Sequence, residues 1–512
     1  MTEKLFAKFK LWHIVVIAIM VYACALNGRL STAGDDSRYI FISKALLEKC
    51  IFKPIFILKF LATNISYFML PFLLMPFVAI SPYLFLPMKL LSLSASICFV
   101  IVLYHFLEGI VPPKMQKLVT LLCAVNPWVV EYSNRIMTET LYLLFSMLTL
   151  FLMKRYLERS SARFLYFSVL MSMISFYTRP AGIALIATII IVVALSKRWK
   201  DCIMVCILVL VLSTPILLDT NRSIIEPYKA IVQKKDHYVS QYQAVEASQL
   251  LRRIGDNFLV YTGNYLPDLL ARPLVGLTDP RLPTKKINPL FLVKFSFGIF
   301  MSGLIFIGFI TSIKNGLKPY HLYAAILFML NLALNVYVAR YLLALLPFLL
   351  LWFFSGIEHI GSTGKNAFQR SCGYLRTPFF IFFLAFSIVG TAQEIVFAHT
   401  DAMSAKEKTF VECNEWLRVH LPLDAVVVSR KPFYTELITG RKSIRYLFLD
   451  DPAQQLEYIT GNKARYVIVG DFGFYLNEEK YLIDTAKKYP ERFRLLYITK
   501  NKPQNYIYEV IY

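Results

Sequence analysis

Apolar residues in this chain fall in long, nearly unbroken runs rather than in the alternating pattern of half-buried strands. The runs are about 15–22 residues long, the length at which a helix crosses a hydrocarbon core of about 30 Å. They predict spans over 11–27, 88–107, 118–131, 139–153, 164–177, 181–196, 202–218, 291–312, 320–336, 341–356 and 377–395. The stretch 54–81 is apolar too, but Pro54, Pro71, Pro76 and Pro82 interrupt it. Proline removes a helical hydrogen bond and kinks the chain, so this stretch reads as helices lying in or dipping into the membrane interface.

Beyond 395 the pattern changes. A helical stretch at 406–420 precedes a β-branched run at 425–429, and a second strand at 465–470 precedes another helix near 477–489. Two closing strands, 494–499 and 506–512, alternate aromatic and aliphatic residues. A length of about 115 residues can support a core of its own. The chain thus reads as an α-helical polytopic membrane protein, with about 11 transmembrane helices and a C-terminal soluble α/β domain. The expected division is 1–395, with outer loops 28–87 and 219–290, followed by 396–512.

Composition removes the alternative of a soluble multidomain protein. Hydrophobic residues make up 57% of the 512 and charged residues only 17%, and the mean hydropathy is +0.54. The net charge of +22 would suit a nucleic-acid binder, but its distribution gives it another meaning. With the N-terminus in the cytoplasm, the segments 1–10, 108–117, 154–163, 197–201, 313–319 and 357–376 face inward. They hold 17 basic residues against five acids, a net of +12. Over half the excess charge therefore lies on one face, as the positive-inside rule requires, and no nucleic acid is implied. An odd number of crossings puts the C-terminal domain on the periplasmic or extracellular face of a bacterial inner (plasma) membrane. The tail's 17 basic and 15 acidic residues nearly cancel. The first span has the lysines, apolar stretch and small residues of a signal peptide, but the chemistry that follows it favours an uncleaved anchor. The eight cysteines show no metal-ligand spacing. Cys50 and Cys413 alone fall in outer segments, where free thiols are favoured over a disulfide.

Four polar clusters fall on the outer side. The first loop carries Asp35, Asp36, Ser37, Arg38 and Tyr39 ahead of a helical stretch. A carboxylate there could take a proton from an acceptor hydroxyl, and the arginine could hold a phosphate. Helix capping by Asp36 or Ser37 explains the same residues without chemistry. Between two spans come Arg135, Thr138 and Glu139, with Glu139 opening an apolar helix. Acids at membrane depth are costly and often functional. Arg179, before Pro180, and Arg340, before Tyr341, occupy two further outer edges, where snorkelling is the plain alternative. Together the clusters suit an anionic, lipid-linked substrate.

In order and spacing these elements resemble the GT-C type membrane glycosyltransferases, the group of the lipid A aminoarabinose transferases and protein O-mannosyltransferases. The resemblance rests on 35–39, on Thr138 and Glu139 after Arg135, on the Thr-Arg-Pro turn at 178–180, on 340–347, and on 424–432 and 439–442 of the tail. It implies an inverting transfer of a sugar from a polyprenyl-phosphate donor to a hydroxyl of a glycan, lipid or protein acceptor at the outer face. It further implies Asp35 as general base and Glu139 as the second acid of the site. Asp36, Arg38, Tyr39, Lys53, Arg135, Arg179 and Arg340 are then the substrate-binding residues. Some relatives hold a divalent metal between the acids; no residue pattern here demands one. The alternatives are a transporter or flippase of lipid-linked sugars, and an oligosaccharide ligase or polymerase. A transporter predicts mid-span charges and an inverted repeat, and neither is evident in the sequence.

Cysteine-accessibility labelling tests the topology. Probes at positions 139, 179 and 340 should react on the face opposite 154–163. Reaction of position 139 on the same face as Arg155 would overturn the assignment.

Overall fold

The computed structural model describes residues 9–32, 34–52, 68–214, 232, 246–275, 289–335, 338–363, 376–400, 403–448, 451–470 and 478–512. By contacts the chain forms two units. One comprises 1–28, 46–232 and 245–398, the other 29–45, 233–244 and 399–512.

The first unit is helical. Its elements include α1 (Leu11–Ala25), α2 (Asp36–Phe52, shared with the second unit), α3 (Met69–Ile80), α4 (Phe85–Leu107), α5 (Pro113–Ala124), α6 (Pro127–Ser133), α7 (Glu139–Arg159) and α8 (Ala162–Thr178). There follow α9 (Ile183–Leu195), α10 (Trp199–Leu212), α11 (Ala247–Val260), α12 (Leu266–Val275), α13 (Pro289–Lys314), α14 (Pro319–Ala333), α15 (Leu346–Thr363) and α16 (Arg376–His399). Among the described residues, five helices are long and apolar enough to cross a membrane: 85–107, 139–159, 289–314, 339–361 and 377–399. Helix occurs over each of the other predicted spans in shorter pieces. The run 118–131 is broken at Val125, because Asn126 caps the next helix through the Trp128 amide at 3.0 Å and Pro127 opens it. The run 341–356 begins as a 3-10 turn over Ala339–Leu345, ahead of Pro347, which has no amide to donate to the preceding turn. Of the proline-broken stretch 54–81, residues 54–67 lie outside the described residues. Its α3, with Pro76 inside, is 12 residues long and about 18 Å at 1.5 Å per residue.

Large apolar side chains remain on the outside of these helices. On α10, Ile203, Ile207 and Leu210 recur at helical spacing and are all exposed, which suits hydrocarbon on one face and protein on the other. Inside, buried serines and threonines return their hydroxyls to the carbonyl four residues back, as Thr149 does to Phe145 at 2.8 Å and Thr188 to Ala184 at 2.7 Å. The backbones of α13 and α15 approach closely. A Cβ on Gly308 would sit 1.7 Å from the Trp352 carbonyl oxygen, and one on Gly356 2.1 Å from that of Leu304. Only glycine permits this backbone approach.

The second unit carries α17 (Ala405–His420), β1 (Val426–Val428), α18 (Pro432–Thr439), β2 (Lys442–Ile444), α19 (Pro452–Gly461), β3 (Tyr466–Val469), α20 (Glu478–Lys488), β4 (Phe493–Ile498) and β5 (Tyr506–Val510). The sheet runs β2-β1-β3-β5-β4. β1 pairs in parallel with β2 and β3, while β5 is antiparallel to both β3 and β4. All four residues of β3 are buried, as a central strand covered on both faces should be. Ser404 and Glu407 form a reciprocal capping box that opens α17. The predicted helices and strands of the tail correspond to α17, β1, β3, α20, β4 and β5. β2, α18 and α19 are not anticipated by the residue pattern. Cys413 is a free, buried thiol, and the side chain of Cys50 lies outside the described residues.

Residues 29–45 belong to this second unit. Thr32 donates to Glu407 at 2.7 Å, the Lys431 ammonium donates to the Gly34 carbonyl at 3.0 Å, and the Phe41 and Phe433 rings lie 5.2 Å apart. The acidic loop is thereby held on α17 and α18.

Because the Gly308–Gly356 contact is backbone on backbone, Gly308→Leu should destabilise the protein by at least about 1–3 kcal/mol, the usual cost of overpacking. A thermal-unfolding measurement in detergent checks this; an unchanged midpoint would remove the contact from the account.

Candidate active site

Glu139 is the first residue of α7 and only 2% of it is exposed. Its Oε1 lies 2.7 Å from Nη1 of Arg179 and 3.7 Å from Nη1 of Arg340. Arg179 precedes Pro180 and is therefore pushed to extended backbone (φ −150°, ψ 131°), which ends α8 and leaves its side chain at the helix terminus. Arg340 sits in the 3-10 turn ahead of α15. Arg179 Nη1 also donates to the Thr138 hydroxyl at 3.4 Å. Both guanidinium groups lie over the Tyr341 ring, at 5.2 and 5.6 Å from its centroid. Two positive charges thus share one carboxylate, and Arg340 also acts electrostatically on Glu131. The arginines are more exposed than the acid (12% and 24% of the side chain against 2%), so they face outward from a buried counter-charge.

Arg135, expected beside Glu139, pairs with Glu131 at 2.6 Å. Glu131 also binds Arg272 at 2.6 Å, and Arg272 reaches Glu394 at 3.0 Å. Arg272 lies over the Trp128 ring at 4.1 Å, while the Trp128 indole donates to the Asp268 carbonyl at 3.3 Å. Burial pushes the Asp268 carboxyl up to about 7, against the opposing pull of Arg272. The network joins α6, α12 and α16, and its four ion-paired charges cancel. Sequence reading missed Glu131, Asp268, Arg272 and Glu394. The available signal was an acid at the end of each of two apolar runs, at 131 and 394. Their partner, Arg272, comes from a loop that shows no pattern of its own.

In the second unit, Asp35 immediately precedes α2, and its carbonyl accepts from the Tyr39 amide at 3.1 Å. Asp35, not Asp36 or Ser37, therefore holds the position ahead of the first turn. Asp36 is completely buried at the first helical residue, and Ser37 and Tyr39 are buried with it. Asp35 and Arg38 are half-exposed. The first unit thus brings Glu139, Arg179 and Arg340 together and sends Arg135 to a different partner. The second unit carries Asp35, Asp36, Arg38 and Tyr39 on one turn, and Lys53 lies outside the described residues. Among the described residues no group of three or more His, Cys, Asp or Glu side chains is placed to hold a metal.

No protein-family profile matches the chain, and no curated protein matches it in sequence. Solved structures do match. ArnT from Cupriavidus metallidurans in the apo state superposes with a TM-score of 0.57 at 10% identity, over 97% of each chain. The same protein bound to undecaprenyl phosphate gives 0.56 at 11% identity over the same shares. The archaeal oligosaccharyltransferase AglB from Archaeoglobus fulgidus, in complex with an inhibitory peptide and a dolichol-phosphate, gives 0.52 at 11% identity, over 90% of this chain and 69% of that one. At such identities the likeness carries the fold alone: this chain has the fold of the GT-C type membrane glycosyltransferases ArnT and AglB.

Proposed function

We propose that the protein is an inverting glycosyltransferase that moves a sugar from a polyprenyl-phosphate donor to a hydroxyl acceptor at the outer face of the membrane. The observation that carries this reading is the ArnT-like fold over 97% of both chains, in a protein that gathers two arginines on one buried acid at the start of an apolar helix. ArnT has been captured with undecaprenyl phosphate and AglB with a dolichol-phosphate. A lipid-linked phosphate is the anion that Arg179 and Arg340 are suited to receive, since guanidinium binds phosphate through paired donors.

In the reaction, the acceptor oxygen attacks the anomeric carbon as the bond from that carbon to the phosphate oxygen breaks, which inverts the configuration. The acceptor proton passes to the Asp35 carboxylate, and the lipid phosphate leaves with the bonding electron pair. Arg179 and Arg340 are suited to meet the negative charge that grows on that phosphate. Glu139 is buried beneath its arginines and acts through them, setting their position and limiting the net charge. Asp36 is sealed from solvent and supports the turn. The acceptor class, whether glycan, lipid or protein, and the sugar follow from donor and acceptor profiling in lipid.

Asp35→Asn keeps the shape and removes the proton acceptor, so transfer should fall by about 10²–10⁴-fold while the unfolding midpoint holds. Full activity would remove Asp35 from the chemistry. Arg38→Ala should weaken use of the donor, and Arg38→Lys should restore only part, because lysine lacks the planar paired donors. Glu139→Gln should raise the donor KM more than it lowers kcat, since it loosens both arginines; an equal fall in kcat with KM unchanged would make Glu139 a direct participant in the chemistry.

A further inference from the structure

The connection between α6 and α7, residues 134–138, has no regular structure. It nevertheless delivers the Thr138 hydroxyl and the Glu139 carboxylate to Arg179, and Glu139 to Arg340. Ile136, Met137 and Thr138 within it are buried. Apolar burial is non-directional, so it does not by itself fix where such a turn sits. Hydrogen bonds from outside the turn can.

Asn134, at the end of α6, receives such a bond. Its side-chain oxygen accepts from the Asn27 amide at 3.0 Å, across 107 positions of the chain. Asn27 lies two residues beyond α1. Its side-chain amide donates to the Ala398 carbonyl near the end of α16 at 3.0 Å, and its side-chain oxygen accepts from the Lys89 ammonium at 2.7 Å. These two partners orient that amide, because a carbonyl only accepts and an ammonium only donates. The ends of α1 and α16 and the start of α4 are thereby tied to the turn ahead of Glu139. All four residues belong to the first unit.

Two features set this relay apart from ordinary packing. Lys89 is only 2% exposed. Burying an ammonium is costly, and apolar residues in place of buried charges are often neutral or stabilising, so packing gives no reason for a lysine there. A buried polar network does specify one arrangement of the elements it joins. Asn134, in turn, has backbone angles (φ −102°, ψ 20°) outside the left-handed region, so the helix end does not call for an asparagine. Its side chain is explained by the Asn27 contact.

We infer that Asn134 is a positioning residue of the donor site: with Asn27 and Lys89 behind it, it holds the α6–α7 turn so that Thr138 and Glu139 meet the two arginines in one geometry. The inference rests on the proposed transfer, in which Arg179 and Arg340 receive the lipid phosphate. Release of the turn at 134 moves both groups that hold Arg179, and so disperses the guanidinium that the phosphate meets.

The test titrates the full-length protein in detergent with undecaprenyl phosphate and follows hydrogen exchange of the same samples by mass spectrometry. Asn134→Ala should weaken binding by about three- to tenfold, the range of one neutral hydrogen bond, and speed exchange over 135–142. Asn134→Asp keeps the accepting oxygen and should restore both. Asn27→Ala cuts the relay one residue further back and should weaken binding in the same direction. Ser302→Ala removes a buried hydrogen bond of α13, from Ser302 to the Thr262 carbonyl at 2.6 Å, and should bind like the parent. Unchanged affinity in Asn134→Ala and Asn27→Ala, no recovery in Asn134→Asp, or an equal loss in Ser302→Ala would overturn the inference. A parent that fails to bind undecaprenyl phosphate would instead defeat the proposed function on which it rests.

Discussion

A carboxylate taken out of water at the start of an apolar helix must be matched or it cannot stay charged, and Glu139 is matched twice. Desolvating such an ion costs several kcal/mol, and removing one partner of a buried pair typically costs about 3–5 kcal/mol. The pairing therefore constrains every segment that contributes to it: the first turn of α7, the end of α8 and the 3-10 turn before α15. Both arginines come from places where the backbone is turned out of regular α-helix. Pro180 forces Arg179 to extended angles, and Arg340 lies in the turn ahead of Pro347. Prolines that look like defects in the apolar runs place the two cations at helix ends, where they can reach one acid.

The neighbouring network applies the same rule with a different balance. Glu131 and Glu394 are acids that two apolar helices could not hold alone, and Arg272 neutralises both. With Arg135 included, the ion pairs of Glu131 and Glu394 are matched, so this network ties helices together. Around Glu139 two arginines from different segments converge on one acid.

How much of this could be read in the sequence follows from the range of each interaction. Long apolar runs declare helices because the periodic burial is local, and the alternating strands of the tail declare β4 and β5 for the same reason. β2 is three residues long, Lys442–Ile444, and is a strand only because β1 lies beside it. The partnership of Arg135 with Glu131 is one helical turn in range, yet Glu139 lay equally close along the chain and only the fold decided between them. The docking of 29–45 on α17 and α18 joins residues almost 400 positions apart through Thr32, Gly34 and Phe41, none of which carries a pattern. The acids of that loop were legible and their setting was not. Asp36 reads as a helix cap, but it is the first, buried residue of α2, and Asp35 holds the position ahead of it.

Charge balance also explains why the two ends of α7 differ in kind. At the Glu139 end the excess charge is carried by guanidinium groups locked over a tyrosine ring, a rigid planar arrangement fitted to repeated recognition of one geometry. At the Glu158 end it is carried by Lys318, an ammonium on a flexible stem at the protein surface. Catalysis needs the first arrangement, since a transition state tolerates little displacement. A point charge on a flexible stem attracts an anion without fixing its orientation. Of the two charged clusters beside the ends of α7, only the one with stacked guanidinium groups has the rigidity that chemistry requires.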